Sequence, residues 1–217
     1  MVRELRRAAS GEEVPSDERL QAIYWLLIDW EYADPEALLD GVPWSEPLGL
    51  LADQLEARPT LANFAVFTAR VYAARLIREG RKNQALGVLE DALERHAQGY
   101  YTECLRLDLA MLLRDEHQFG RALEELRAAQ KQIEDLQGRD DLSAEYAANL
   151  RMFEALLASE LAATQEALGM SDAAEASFEL ADALAGALDE ETGPAVFGGN
   201  HDVKRFALAQ ARELVAA

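Results

Sequence analysis

Residues 80–98 read GRKNQALGVLEDALERHAQ, and their small residues decide the fold. Gly80 breaks the preceding segment, and a helix runs from about Asn83 to Ala97 with Ala85, Leu89 and Ala92 along one face. A lone amphipathic helix gains more from large apolar groups at such positions. Alanine there makes sense where a second helix must approach closely.

The same pattern returns downstream as Ala122–Leu126–Ala129 and as Ala174–Phe178–Ala181. Another alanine lies twelve residues before each leading one, at Ala73, Ala110 and Ala162, and each follows a larger side chain, Tyr72, Leu109 and Leu161. Six of these positions are independent of the register chosen on the leading alanines, which favours a helical repeat over coincidence in an Ala-rich chain.

Working outward, Gly and Pro divide the 217 residues into helix, short turn, helix throughout. Residues 1–15 read as a loose tail. Ser16 or Asp17 caps a helix bearing Leu20, Ile23, Tyr24, Leu27 and Ile28, Pro35 opens a short helix that Gly41 ends, and Ser45 caps another to about Arg58. Helices are then expected over 60–79, 83–97, 100–116, 121–137, from the Asp140-Asp141 turn to Leu168, and over 172–189. A loop with Gly193, Pro194, Gly198 and Gly199 precedes a last helix over about 202–216. The divisions are a tail at 1–15, a helical cap at 16–59, repeats at 60–190, and a loop with a capping helix at 191–217.

The small-residue spacing resembles the tetratricopeptide repeat family over roughly residues 66–190. Where that family places a Trp in its first helix, this chain has Ala69, Arg106 and Ala158. Where it often ends a unit with Pro, this chain has Ala97, Glu134 and Gly186. The leading alanines are 37 and 52 residues apart, against a family period of roughly 34, so the helices must be lengthened, above all between Gln132 and Phe153. The resemblance implies an all-α superhelix of about three hairpins between helical caps, the last helix covering the apolar end of the stack with Leu208 and Ala209.

It also implies a concave groove lined by the first helix of each hairpin. That places Phe67, Arg70, Ala74, Ile77 and Arg78 on the inner face, then Cys104, Leu107, Met111, Arg114 and Asp115, then Leu156, Ser159, Ala163, Glu166 and Ala167. The candidate partner-binding set is Phe67, Arg70, Arg78, Leu107, Met111 and Arg114. Its arginines would hold an acidic or carboxylate-ended segment, while Phe67, Leu107 and Met111 hold apolar side chains. The alternative is that the arginines pair with the chain's own carboxylates and the apolar groups are core.

Charge narrows the partner. The net charge of −19 disfavours a nucleic-acid backbone or an anionic membrane. The most apolar run, residues 22–30, is too short to span a bilayer, and the basic N-terminus lacks the apolar stretch of a secretory signal. Cys104 is the only cysteine, which excludes an intrachain disulfide and fits a reducing, cytoplasmic compartment.

No catalytic constellation emerges. His96, His117 and His201 are too far apart to share a metal, Asp140-Asp141 and Asp189-Glu190-Glu191 read as solvated turns, and Gly198-Gly199 follows no strand. No cofactor is expected, and the chain reads as a binding protein rather than an enzyme: an adaptor or scaffold for a protein or peptide. A sensor of peptides or small ligands and a secretion-type chaperone are the alternatives. Trp25, Trp30 and Trp44, with Tyr24 and Tyr32, make the N-terminal cap either aromatic core or a homodimer surface.

Overall fold

The computed structural model describes residues 2–12, 14–30, 43–97 and 101–192. Among them there is no strand. The elements are α1 (Val2–Ala9), α2 (Asp17–Trp30), α3 (Ser45–Glu56), a 3-10 turn (Pro59–Leu61), α4 (Ala62–Arg78), α5 (Lys82–His96), α6 (Thr102–Asp115), α7 (Phe119–Gln137), α8 (Ala144–Ala167) and α9 (Ser171–Thr192). The described part of the chain is thus all-α, its helices packed in sequential antiparallel pairs. No described helix is long and apolar enough to cross a membrane. The expected short helix at 35–41 and the final helix at 202–216 lie outside the described residues, as do Tyr32 and His201. Contacts divide the chain near residue 99 into two compact units.

In the first unit, Leu20, Ile23 and Leu27 of α2, Leu48, Leu51 and Leu55 of α3 and Leu61 form one buried core. Residues 2–9 correct the expectation of a loose tail. They form a helix because Leu5 enters that core completely, and two ion pairs fix its polar side. Arg19 grips Glu4 through Nε and Nη2 at 2.6 and 2.9 Å, which holds the Glu4 carboxyl below the usual carboxylate range. Arg6 meets Glu46 of α3 at 2.6 Å. Ser16 caps α2 by accepting the Arg19 N–H at 3.2 Å. Ser45 is not the N-cap: it is the first residue of α3, and Trp44 before it makes no side-chain capping bond. Among the aromatics, Trp44 is buried and Trp25 stacks edge-on against Tyr24 and Phe64, so both serve the core of this unit.

In the second unit α6 pairs with α7 and α8 with α9, and α8 lies against both α6 and α7. Most repeat alanines face the core: Ala110, Ala122, Ala129, Ala162 and Ala174 are buried, as are Ala73, Ala85 and Ala92 in the first unit, while Ala181 is half-buried. Arg106, at the family's Trp position, instead pairs with Glu125 of α7 at 2.6 Å. The expected lengthening is present. α7 reaches Gln137 and α8 spans 24 residues, and the added turns bury Ile133, Leu136, Tyr146 and Leu150. Ser143 caps α8 by accepting the Tyr146 N–H at 3.1 Å.

Phe178 departs from its repeat position. Leu126 is 1% exposed on α7, which packs against both α6 and α8, whereas Phe178 is 44% exposed on α9. Among the described residues no further helix packs on α9.

Candidate partner-binding surface

The six candidate residues fall on two helices. On α4, Phe67, Arg70, Ala74 and Arg78 recur at three and four residues and share one stripe. Phe67 is half-buried and packs its ring against the core of the first unit. The Arg70 guanidinium lies 5.9 Å from the centre of that ring, a cation–π arrangement that keeps the charge at the surface. Arg78, in the last turn of α4, is exposed, where the helix dipole favours a cation.

On α6 the residues separate by environment. Met111 is 40% exposed. Leu107, one turn earlier on the same stripe, is buried with 4% exposure, and Cys104 is buried as well. Both α7 and α8 pack on α6, leaving Met111 and Asp115 exposed and Arg106, Asp108 and Arg114 half-buried at its surface. Leu107 and Cys104 are therefore core residues and do not line a groove.

Arg114 bridges to α8, its Nη1 2.6 Å from Glu160 Oε2. Burial raises the Glu160 carboxyl above the usual carboxylate range, and the adjacent guanidinium only partly offsets this. This arginine forms an ion pair with one of the chain's own carboxylates. On α8, Met152 and Leu156 precede Glu160 at four-residue steps and are 39% and 49% exposed. Met111, three residues before Arg114, stands on the corresponding side of α6. The ion pair thus joins the α6 stripe that carries exposed Met111 to the α8 stripe that carries exposed Met152 and Leu156. Ser159 and Glu166 add polar, exposed positions to α8, and Ala163 is half-buried.

Sequence reading placed Leu156 on this face and passed over Met152. The signal was there: Met152 is one helical turn before Leu156.

Titratable clusters are few. His96 is half-buried, and burial, with Arg95 beside it, lowers its imidazole pKa. His117 packs edge-on to Phe119 at 5.7 Å in a left-handed turn. Among the described residues no three His, Cys, Asp or Glu side chains converge as a metal site. The Asp140-Asp141 turn is exposed, with Arg139 clamping Asp141 at 2.9 and 2.7 Å. No family model, curated protein or solved structure matches the chain.

Proposed function

We propose that the chain is a tetratricopeptide-like solenoid that acts by binding, an adaptor or scaffold for another protein or a peptide segment of one, and not an enzyme. The observation that carries the reading is the exposure of Met111, Met152 and Leu156 on the two helices that the Arg114–Glu160 pair joins. Isolated exposed apolar groups are ordinary, but three on facing helices, bordered by fixed charge, suit a partner's apolar side chains. Methionine adapts its shape to varied contacts, which favours a segment over one rigid small molecule. The stripe of Phe67, Arg70 and Arg78 on α4 is the matching surface of the first unit. With a net charge of −19, a protein partner is favoured over nucleic acid or membrane.

The test is a tagged full-length chain used as bait in a lysate of its source, with Met111→Asp/Leu156→Asp alongside. The expected result is a stoichiometric protein held by the wild type and lost from the folded double variant. Identical captures by both baits would remove these side chains from the binding site. Charge reversal at Arg78 and Arg114 tests the electrostatic half in the same format.

A further inference from the structure

We propose that the cavity between α3 and α4 binds a small ligand carrying an ammonium group and a carboxylate on a short methylene chain. The cavity, about 380 Å³, belongs wholly to the first unit and is independent of the exposed apolar residues on α6 and α8. Its wall is one face of α3, where Glu46, Gly49, Leu50 and Asp53 recur at helical spacing, with Tyr72 of α4 and Arg81 opposite.

One end carries an anchored cation. The Arg81 guanidinium donates to the Ser45 hydroxyl at 2.9 Å, Glu79 Oε2 at 3.1 Å and Gln84 Oε1 at 2.6 Å. These bonds use Nε and Nη1, so Nη2 remains available to a carboxylate without reorganisation. Glu79 is part of the anchor. Burial pushes its carboxyl up, but hydrogen bonds from Ser45, Arg75 and Arg81 outweigh this and hold it below its ordinary value.

The other end carries an anion. Asp53 is exposed at the rim and forms no ion pair or hydrogen bond among the described residues, and partial desolvation raises its carboxyl despite the field of Arg95. An arriving ammonium would relieve that cost. Glu46, by contrast, is already paired with Arg6. Eight residues of α3 separate Ser45 from Asp53, roughly 12 Å of helix, and both line the cavity, Ser45 buried and Asp53 at its exposed rim. A ligand with its charges several methylenes apart fits between them, along the apolar wall of Leu50.

Tyr72 stands midway. A Cβ on residue 49 would lie 3.0 Å from its Cζ and hydroxyl, so glycine is what lets the phenol lie across α3. Its hydroxyl makes no hydrogen bond among the described residues and can serve either ligand group.

The probes are 6-aminohexanoate, with hexanoate and hexylamine as single-charge controls, titrated into the full chain by calorimetry and thermal unfolding. 6-Aminohexanoate should bind and raise the unfolding temperature, and each control should bind at least about tenfold more weakly. Asp53→Asn, which costs no native bond, and Arg81→Gln should each weaken 6-aminohexanoate by at least about tenfold. Asp53→Asn keeps the test decisive if Arg81→Gln unfolds. Absence of binding at millimolar 6-aminohexanoate, or undiminished binding by folded Asp53→Asn, overturns the proposal. Equal affinity for hexylamine would also overturn it, leaving a simple cation site.

Discussion

Tyr146 donates its phenolic hydrogen to Glu103 Oε1 across 3.0 Å, joining α8 to α6 where both side chains are buried. The same phenol oxygen accepts the Tyr101 N–H at 3.2 Å, and the two tyrosine rings meet edge to face at 4.7 Å. Tyr101 adopts φ 67°, a left-handed conformation costly for a bulky residue, at the entry to α6. The extra turns that lengthen α8 are what bring Tyr146 to this entry.

Tyr146→Phe should destabilise the fold by about 1–3 kcal/mol, because a buried carboxylate loses a donor while the ring stays in place. Burial, and then the Glu103 carboxylate, push the Tyr146 pKa well above its ordinary value. A raised folded pKa means that the folded chain retains a proton the unfolded chain releases. Wild-type stability should therefore fall as pH rises above about 10, and Tyr146→Phe should lack that component. Denaturant titrations at neutral and alkaline pH measure both effects.

Arg114→Ala should destabilise the second unit by about 1–3 kcal/mol at neutral pH, since it leaves Glu160 charged in a half-buried site. Adding Glu160→Gln should recover most of the loss, a positive coupling that a double-mutant cycle reads directly. Additive losses would mean that the pair contributes nothing as a pair.

Ala122→Leu and Ala162→Leu insert bulk at fully buried helix contacts and should each cost about 1–3 kcal/mol. Ala176→Leu, on the exposed side of α9, should stay within about 0.5 kcal/mol of wild type. Equal tolerance at all three sites would contradict close packing through the repeat alanines.

Two glycines should respond in opposite directions to alanine. Gly87 lies inside α5 with open space where an added methyl would go, so Gly87→Ala should stabilise by about 0.5–1 kcal/mol. Gly80 has equal room but φ +76°, and Gly80→Ala should cost about 1 kcal/mol. Thermal melts of the two variants separate space from backbone conformation.

Most helix boundaries were legible because Gly, Pro and capping residues punctuate strong apolar periodicity. The repeat alanines were legible for the same local reason. What the sequence hid depends on pairings distant along the chain. α1 has few apolar residues, and its docking needs Arg19–Glu4 and Arg6–Glu46, pairs 15 and 40 residues apart. Leu107 and Met111 share one stripe of α6, and only the lie of α7 and α8 decides that the first is buried and the second exposed. Gly49 was visible as a glycine inside a helical run, a hint of close approach, but not that Tyr72 makes it.

The docking of α1 bears on how the chain tolerates trimming. A version begun at Asp17, where a tail would naturally be cut away, would lose the side chain of Leu5 from among Leu20, Ile23 and Leu48. It would also take Glu4 from Arg19 and Arg6 from Glu46. The first unit would then present an open apolar notch to solvent, and self-association through that notch would be an artefact of the cut.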